Sequence, residues 1–189
     1  MPSERASARS CPRGGSNNNL DRVTESLGNR VIAVIALGSN LGDRQALLDF
    51  AAGRLRGILE DLRISSYYET DPVGVAGDQP RFLNAAAVGK TRLEARELLS
   101  ALQEIERDAG RERPYPGAAR TLDLDLILFG EQLIDEPQLT VPHPRFRERR
   151  FVLEPLAEIA PDVKDPVSGR TAAELLTNLG RPDRAVRRR

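Results

Sequence analysis

One stretch limits what this chain can fold into more than any other: Thr121-Leu122-Asp123-Leu124-Asp125-Leu126-Ile127-Leu128-Phe129. Leucine recurs at every second position. On an extended backbone Leu122, Leu124, Leu126 and Leu128 therefore share one face, and Asp123 and Asp125 share the other. The stretch predicts a strand over 122–129 with one face to bury and one face carrying paired acids.

Strand and helix signals alternate along the chain before it. Val31–Leu37 is a β-rich apolar run that stops at the turn residues Gly38-Ser39-Asn40. Asp43 to Leu59 carries Ala46, Leu47, Phe50, Ala51, Leu55 and Ile58 as a helical stripe. Leu62 to Thr70 is β-prone, and a loop from Asp71 to Pro80 leads into a strand over Phe82–Lys90. Leu93 to Ala109 reads as an amphipathic helix with Leu98, Leu99, Leu102 and Ile105 on one face, closed by Gly110. Beyond the acidic strand come a turn at Gly130, a short segment Glu131–Ile134 and Pro-punctuated helical pieces from Arg145 to Ala160. The order β-α-β-β-α-β predicts an α+β, ferredoxin-like fold, with two helices on one face of an antiparallel sheet.

The 189 residues suit one domain with extensions. Residues 1–28, rich in Ser, Arg, Asn and Gly, lack the apolar content to offset the entropy of ordering and read as a disordered tail. Residues 29–180 form the expected domain, and 181–189 a basic C-terminal tail. Lys plus Arg (28) equals Asp plus Glu (28), so no general affinity for nucleic acid or an anionic membrane is expected. The single cysteine, Cys11, excludes an internal disulfide and a zinc site built from thiolates. No apolar run approaches the ~20 residues of a membrane span, and no signal-peptide pattern follows Met1. A cytoplasmic monomer acting on small molecules is the expectation.

Two neighbouring carboxylates on an apolar strand repel each other and are costly to desolvate. A cation between them relieves both costs. Magnesium takes one or two carboxylates together with water and phosphate oxygens; solvated acids on a sheet edge, or acids paired with Arg, satisfy the same spacing. Arg107, Arg111, Arg113 and Arg120 lie between the second long helix and the acids. The Pro- and Gly-rich run Arg111 to Gly117 reads as a loop bearing cations. Guanidinium groups match phosphate oxygens in bidentate geometry, so cations closing over acids suit a triphosphate with magnesium. His143 is the chain's one histidine, held extended between Pro142 and Pro144. Gly38 to Asp43 links strand to helix but lacks the Lys and Ser/Thr of a nucleotide P-loop. It reads as a tight turn, with Asn40 or Asp43 capping the helix. Asn84, between apolar residues on a strand, needs partners for its amide, either a planar ligand or nearby backbone.

Together these segments resemble the hydroxymethyl-dihydropterin pyrophosphokinase family of folate synthesis. The likeness runs in order through Ala36-Leu37-Gly38-Ser39-Asn40-Leu41-Gly42-Asp43, Tyr68-Glu69-Thr70 with Pro72, and Gln79 to Ala86. It continues through Ile105-Glu106, Arg120 to Asp125, Val141-Pro142-His143-Pro144-Arg145, and Phe151 to Leu156. The resemblance implies transfer of diphosphate from ATP, the co-substrate, to the pterin alcohol, with release of AMP. It implies that Asp123 and Asp125 hold two Mg2+ ions. Arg120, His143 and Arg149 would bind ATP phosphates, with Arg111 and Arg113 joining from the loop, and Gln103 and Glu106 would line the nucleotide site. Phe82 and Phe151 would sandwich the pterin, while Asn84 and the backbone from Thr70 through Pro72 to Val73 would read its edge. The family's Trp-Gly-Pro before the equivalent of Arg120 is replaced by Gly117-Ala118-Ala119, and the chain has no tryptophan. Two other classes fit parts of this pattern: a nucleotide or pterin binding module without turnover, and a structural domain whose acids and arginines pair with one another.

Overall fold

The computed structural model describes residues 30–72, 79–111 and 118–180, with the backbone of 187–188 besides. Its elements in chain order are β1 (Val31–Ser39), α1 (Arg44–Leu55), β2 (Glu60–Ile64), β3 (Tyr68–Thr70), β4 (Phe82–Thr91), α2 (Ala95–Asp108) and β5 (Asp123–Phe129). A hairpin follows, β6 (Ile134–Glu136) with β7 (Leu139–Val141), then a 3-10 turn over Phe146–Glu148. Helices α3 (Arg150–Ile159) and α4 (Ala172–Asn178) and the two-residue strand β8 (Arg187–Arg188) complete the order.

The main sheet runs β5-β1-β4-β3-β8, with β2 also paired to β4, and its ladders are antiparallel. This is the expected β-α-β-β-α-β core, with the second strand broken in two at Ser65–Tyr67. The two core helices lie on one face, as expected: Leu48, Ala51 and Leu55 of α1 and Leu98, Leu102 and Ile105 of α2 pack against Ile35, Leu37, Leu124 and Leu126. The later helices, which the sequence left unplaced, cover the other face: Val152, Leu153 and Leu156 of α3 and Ala172 and Leu175 of α4 pack against Val34, Ala86, Val88, Ile127 and Leu128. The stripe of α1 is corrected. Leu48, Ala51, Ala52 and Leu55 are its buried residues, spaced for one helix face, while Phe50 is exposed beneath the Arg54 guanidinium.

Local chemistry sets the ends of these elements. Asp43 caps α1 by accepting from the Ala46 N–H at 3.0 Å. Glu94 and Glu97 form a capping box on α2, and Gly110, at φ +71°, closes it as expected. The strict alternation expected of β5 ends at Leu126. Leu126 pairs with Ile35 and Leu128 with Val34, which leaves Ile127 without a partner in β1. This bulge puts Ile127 and Leu128 together on the α3 side and returns Phe129 to the other.

Candidate active site

Register places the acids beside the floor of the site. Gly38 on the central strand β1 pairs with Asp123 on one side and Asn84 on the other; Ala36 pairs with Asp125 and Ala86. Ala86 faces α3, so Phe82, Asn84, Asp123 and Asp125 lie on that same side, near the start of α3. A Cβ at Gly38 would sit 3.3 Å from Asn84 Oδ1 and 3.9 Å from Asp123 Cβ, so a side chain there would press between the two polar groups.

The Asp123 carboxylate is met by two guanidinium groups: Arg111 Nη1 at 2.7 Å from Oδ1 and Arg120 Nη1 at 2.6 Å from Oδ2. Arg111 also pairs with Glu106, which is 4% exposed and accepts from the Leu124 N–H at 2.8 Å. Glu106 thus sits behind the acidic strand and ties α2 to it, a place the sequence reading did not assign. Asp125 is half-buried, with Arg149 Nη1 at 3.7 Å. Burial raises its carboxyl above the usual range and the neighbouring Asp123 charge adds to the rise, against the pull of Arg149. That is the condition in which a carboxylate gains most from a nearby cation.

Arg149 begins α3 and stands 5.5 Å over the Phe151 ring, which joins the aromatic rim to the acids. His143 donates its backbone N–H to the Ile127 carbonyl at 2.9 Å, and its Nδ1 accepts from the Arg145 N–H at 3.2 Å. Burial, then the charges of Arg149 and Arg145, lowers the imidazole to about 4. It is therefore neutral near pH 7, and with Nδ1 accepting, Nε2 carries the proton.

Asn84, 5% exposed, donates from Nδ2 to Thr70 Oγ1 at 2.8 Å. Thr70 is buried, and Pro72 and Phe82 are half-buried beside it. Gln103 is exposed on α2. Arg113 and Val73 lie outside the described residues. Asn40, one of the two candidate caps, has a different place. Its Oδ1 accepts from the Arg120 N–H at 2.7 Å, its own N–H donates to the Arg120 carbonyl at 3.1 Å, and its Nδ2 donates to Gln79 Oε1 at 3.0 Å. Asn40 is a staple that fixes Arg120, and Asp43 alone takes the cap. Its signal was an Asn at the end of a buried strand, 1% exposed, whose amide must be satisfied.

Among the described residues no group of three or more His, Cys, Asp or Glu could hold a metal by protein ligands alone, and no helix is long and apolar enough to cross a membrane. A carboxylate pair is nevertheless a fitting donor set for magnesium, which takes its remaining ligands from water and phosphate. Paired acids ringed by Arg111, Arg120 and Arg149 on an antiparallel α+β sheet are an arrangement suited to phosphoryl-group transfer.

The comparisons with known proteins agree. The sequence model of the 7,8-dihydro-6-hydroxymethylpterin-pyrophosphokinase (HPPK) family matches residues 34–161, and the chain belongs to that family. It is thus an ATP-dependent diphosphotransferase of folate biosynthesis, acting on hydroxymethyldihydropterin. It is 49% identical over 146 residues to the 2-amino-4-hydroxy-6-hydroxymethyldihydropteridine pyrophosphokinase of Bacillus subtilis, covering 76% of this chain and 87% of that one. The Pseudomonas aeruginosa protein of the same name is 46% identical over 144 residues, covering 75% and 88%. The wild-type HPPK-DHPS structure from Plasmodium falciparum shares the fold, with TM-score 0.62 and 16% identity over 79% of this chain and 45% of that chain.

Proposed function

We propose that the face of the sheet at the start of α3 binds both substrates, with the acid pair and its ring of guanidinium groups handling the triphosphate. The observation that carries this reading is the convergence of Arg111, Arg120 and Arg149 on Asp123 and Asp125. Asp123 and Asp125 would hold magnesium, two ions in all, which would supply charge neutralisation and Lewis-acid activation at the phosphates. Arg120, positioned by Asn40, grips phosphate oxygens together with Arg149 and Arg111, and Arg113 joins from its loop. His143 offers Nε2–H as a neutral donor to the same phosphates. Gln103 borders the nucleotide, and Glu106 serves it from behind the strand by holding Arg111 and the Leu124 N–H.

Phe82 and Phe151 take the two faces of the pterin, Asn84 reads its polar edge, and the backbone from Thr70 through Pro72 to Val73 completes the recognition. The pterin hydroxymethyl oxygen attacks the β-phosphorus in line and AMP leaves, carrying the bond electrons on its α-phosphate oxygen. The hydroxyl proton goes to solvent. Alignment of the two substrates and fixed positive charge supply most of the acceleration. The single chain is the working unit, in the cytoplasm.

Calorimetric titration with a non-hydrolysable ATP analogue tests the assignment. Wild-type protein should bind tightly only with magnesium present. Asp123→Ala and Asp125→Ala should lose the magnesium dependence and cut turnover by at least about a hundredfold, with the fold retained. Unchanged magnesium-dependent binding in both variants would show that the acids serve only to pair with arginine.

A further inference from the structure

The run that carries His143 and Arg149 holds another cation whose partner lies elsewhere. Arg147, in the 3-10 turn between them, makes a two-pronged ion pair with Asp165: Nε to Oδ2 at 2.7 Å and Nη2 to Oδ1 at 2.6 Å. Asp165 is fully buried. Its remaining acceptor positions take the Val167 N–H at 3.2 Å, the Ser168 N–H at 3.1 Å and the Ser168 hydroxyl at 2.5 Å. A carboxylate with that many donors has no capacity left for a ligand.

The loop bearing Asp165, between α3 and α4, is itself braced. Asp165 N–H donates to the Arg170 carbonyl at 2.9 Å, Gly169 N–H to the Asp165 carbonyl at 2.8 Å, and Ala172 N–H to the Val163 carbonyl at 2.9 Å. By contrast, residues 142–149 have no strand pairing. The His143 N–H bond to Ile127, the burial of Phe146 in the core against α3, the Arg149 pair with Asp125 and the ion pair of Arg147 to Asp165 hold them from outside the run. The charges that reach the imidazole are those of Arg149 and Arg145, opposed by Asp123, while Arg147 is paired with Asp165.

We propose that Arg147 and Asp165 are positioning residues for the nucleotide: their ion pair fixes the turn that sets His143 and Arg149 at the triphosphate. This rests on the assignment of those two residues to ATP. A group held by a buried, fully bonded carboxylate has few alternative placements, and a displacement of about 1 Å at a phosphate contact costs up to about a hundredfold.

Steady-state kinetics on paired variants decide it. Removing Arg147 alone leaves a buried unpaired carboxylate, so the informative change is the neutral pair Arg147→Met with Asp165→Asn. The expected result is a KM for ATP raised about tenfold with the KM for the pterin within about twofold of wild type. Arg147→Lys should recover part of the loss. In an Arg149→Ala background the neutral pair should add much less than its effect in wild type, because it acts through Arg149. Overturning results are a loss confined to the thermal midpoint or the amount of active enzyme with both KM values unchanged, or full additivity with Arg149→Ala. If Arg149→Ala alone leaves the KM for ATP unchanged, the ATP assignment itself fails and this inference with it.

Discussion

At the scale of single residues, the charged groups of the site divide into those exposed by the sequence pattern and those hidden by context. His143 gives a direct test of its surroundings. Its imidazole drops from an ordinary 6.5 to about 4 in the fold, so the folded chain binds fewer protons than the unfolded one between those values. The associated stability is fully present above pH 6.5 and is lost as pH falls through about 4. Burial pushes the Asp165 carboxyl upward, but the bonds from Arg147, Ser168 and Val167 outweigh it and hold it at about 2, so its contribution is lost only at lower pH still. Urea unfolding of wild type and His143→Gln at pH 7.5 and pH 4 should show the wild type losing more stability over that interval. Equal losses would contradict the described burial of the imidazole. Asp123 and Asp125 were legible as a pair because alternation marks them, while Arg120, His143 and Glu106 were singled out by the family resemblance. The bonds that Asn40 and Glu106 make were not legible, since they reach Arg120 and Leu124, residues that only folding brings near.

Elements were legible in order and type, and their layering less so. The continuous apolar run of β1 carried a sign of burial on both faces, which an alternating strand would not. The later helical pieces, punctuated by proline, carried no sign of which face they cover, and α3 runs unbroken through Pro155. Packing at this scale is tight where β2 meets β4. A Cβ on Gly89 would lie 2.9 Å from Leu59 Cβ and 3.1 Å from the Glu60 carbonyl oxygen. Gly89→Ala should therefore lower unfolding free energy by roughly 1–3 kcal/mol in a denaturant titration, with turnover per folded molecule unchanged. No loss of stability would mean that β2 yields at this contact without cost.

For the whole molecule, the site is a product of the two-sided sandwich. One helical layer supplies Glu106 and Arg111, at the end of α2, behind the acids; the other supplies Arg149 and Phe151 in front of them. Neither layer alone surrounds the strand with cations. The family match begins at residue 34, and among the described residues the sheet begins at Val31. Removing residues 1–28 should leave kcat, both KM values and the thermal midpoint within error of the full chain. A clear rise in either KM would give those residues a part in substrate binding.

The unpartnered Ile127 joins two requirements in one position. Its carbonyl, which no β1 residue opposes in register, is where His143 hangs from the strand. Deleting that residue would give β5 the regular pleat it lacks and leave Leu128 and Phe129 opposite Val34 and Ala33, yet it would remove a fully buried side chain and the carbonyl that holds the His143 backbone. The irregularity thus serves the interior and the placing of His143 at once.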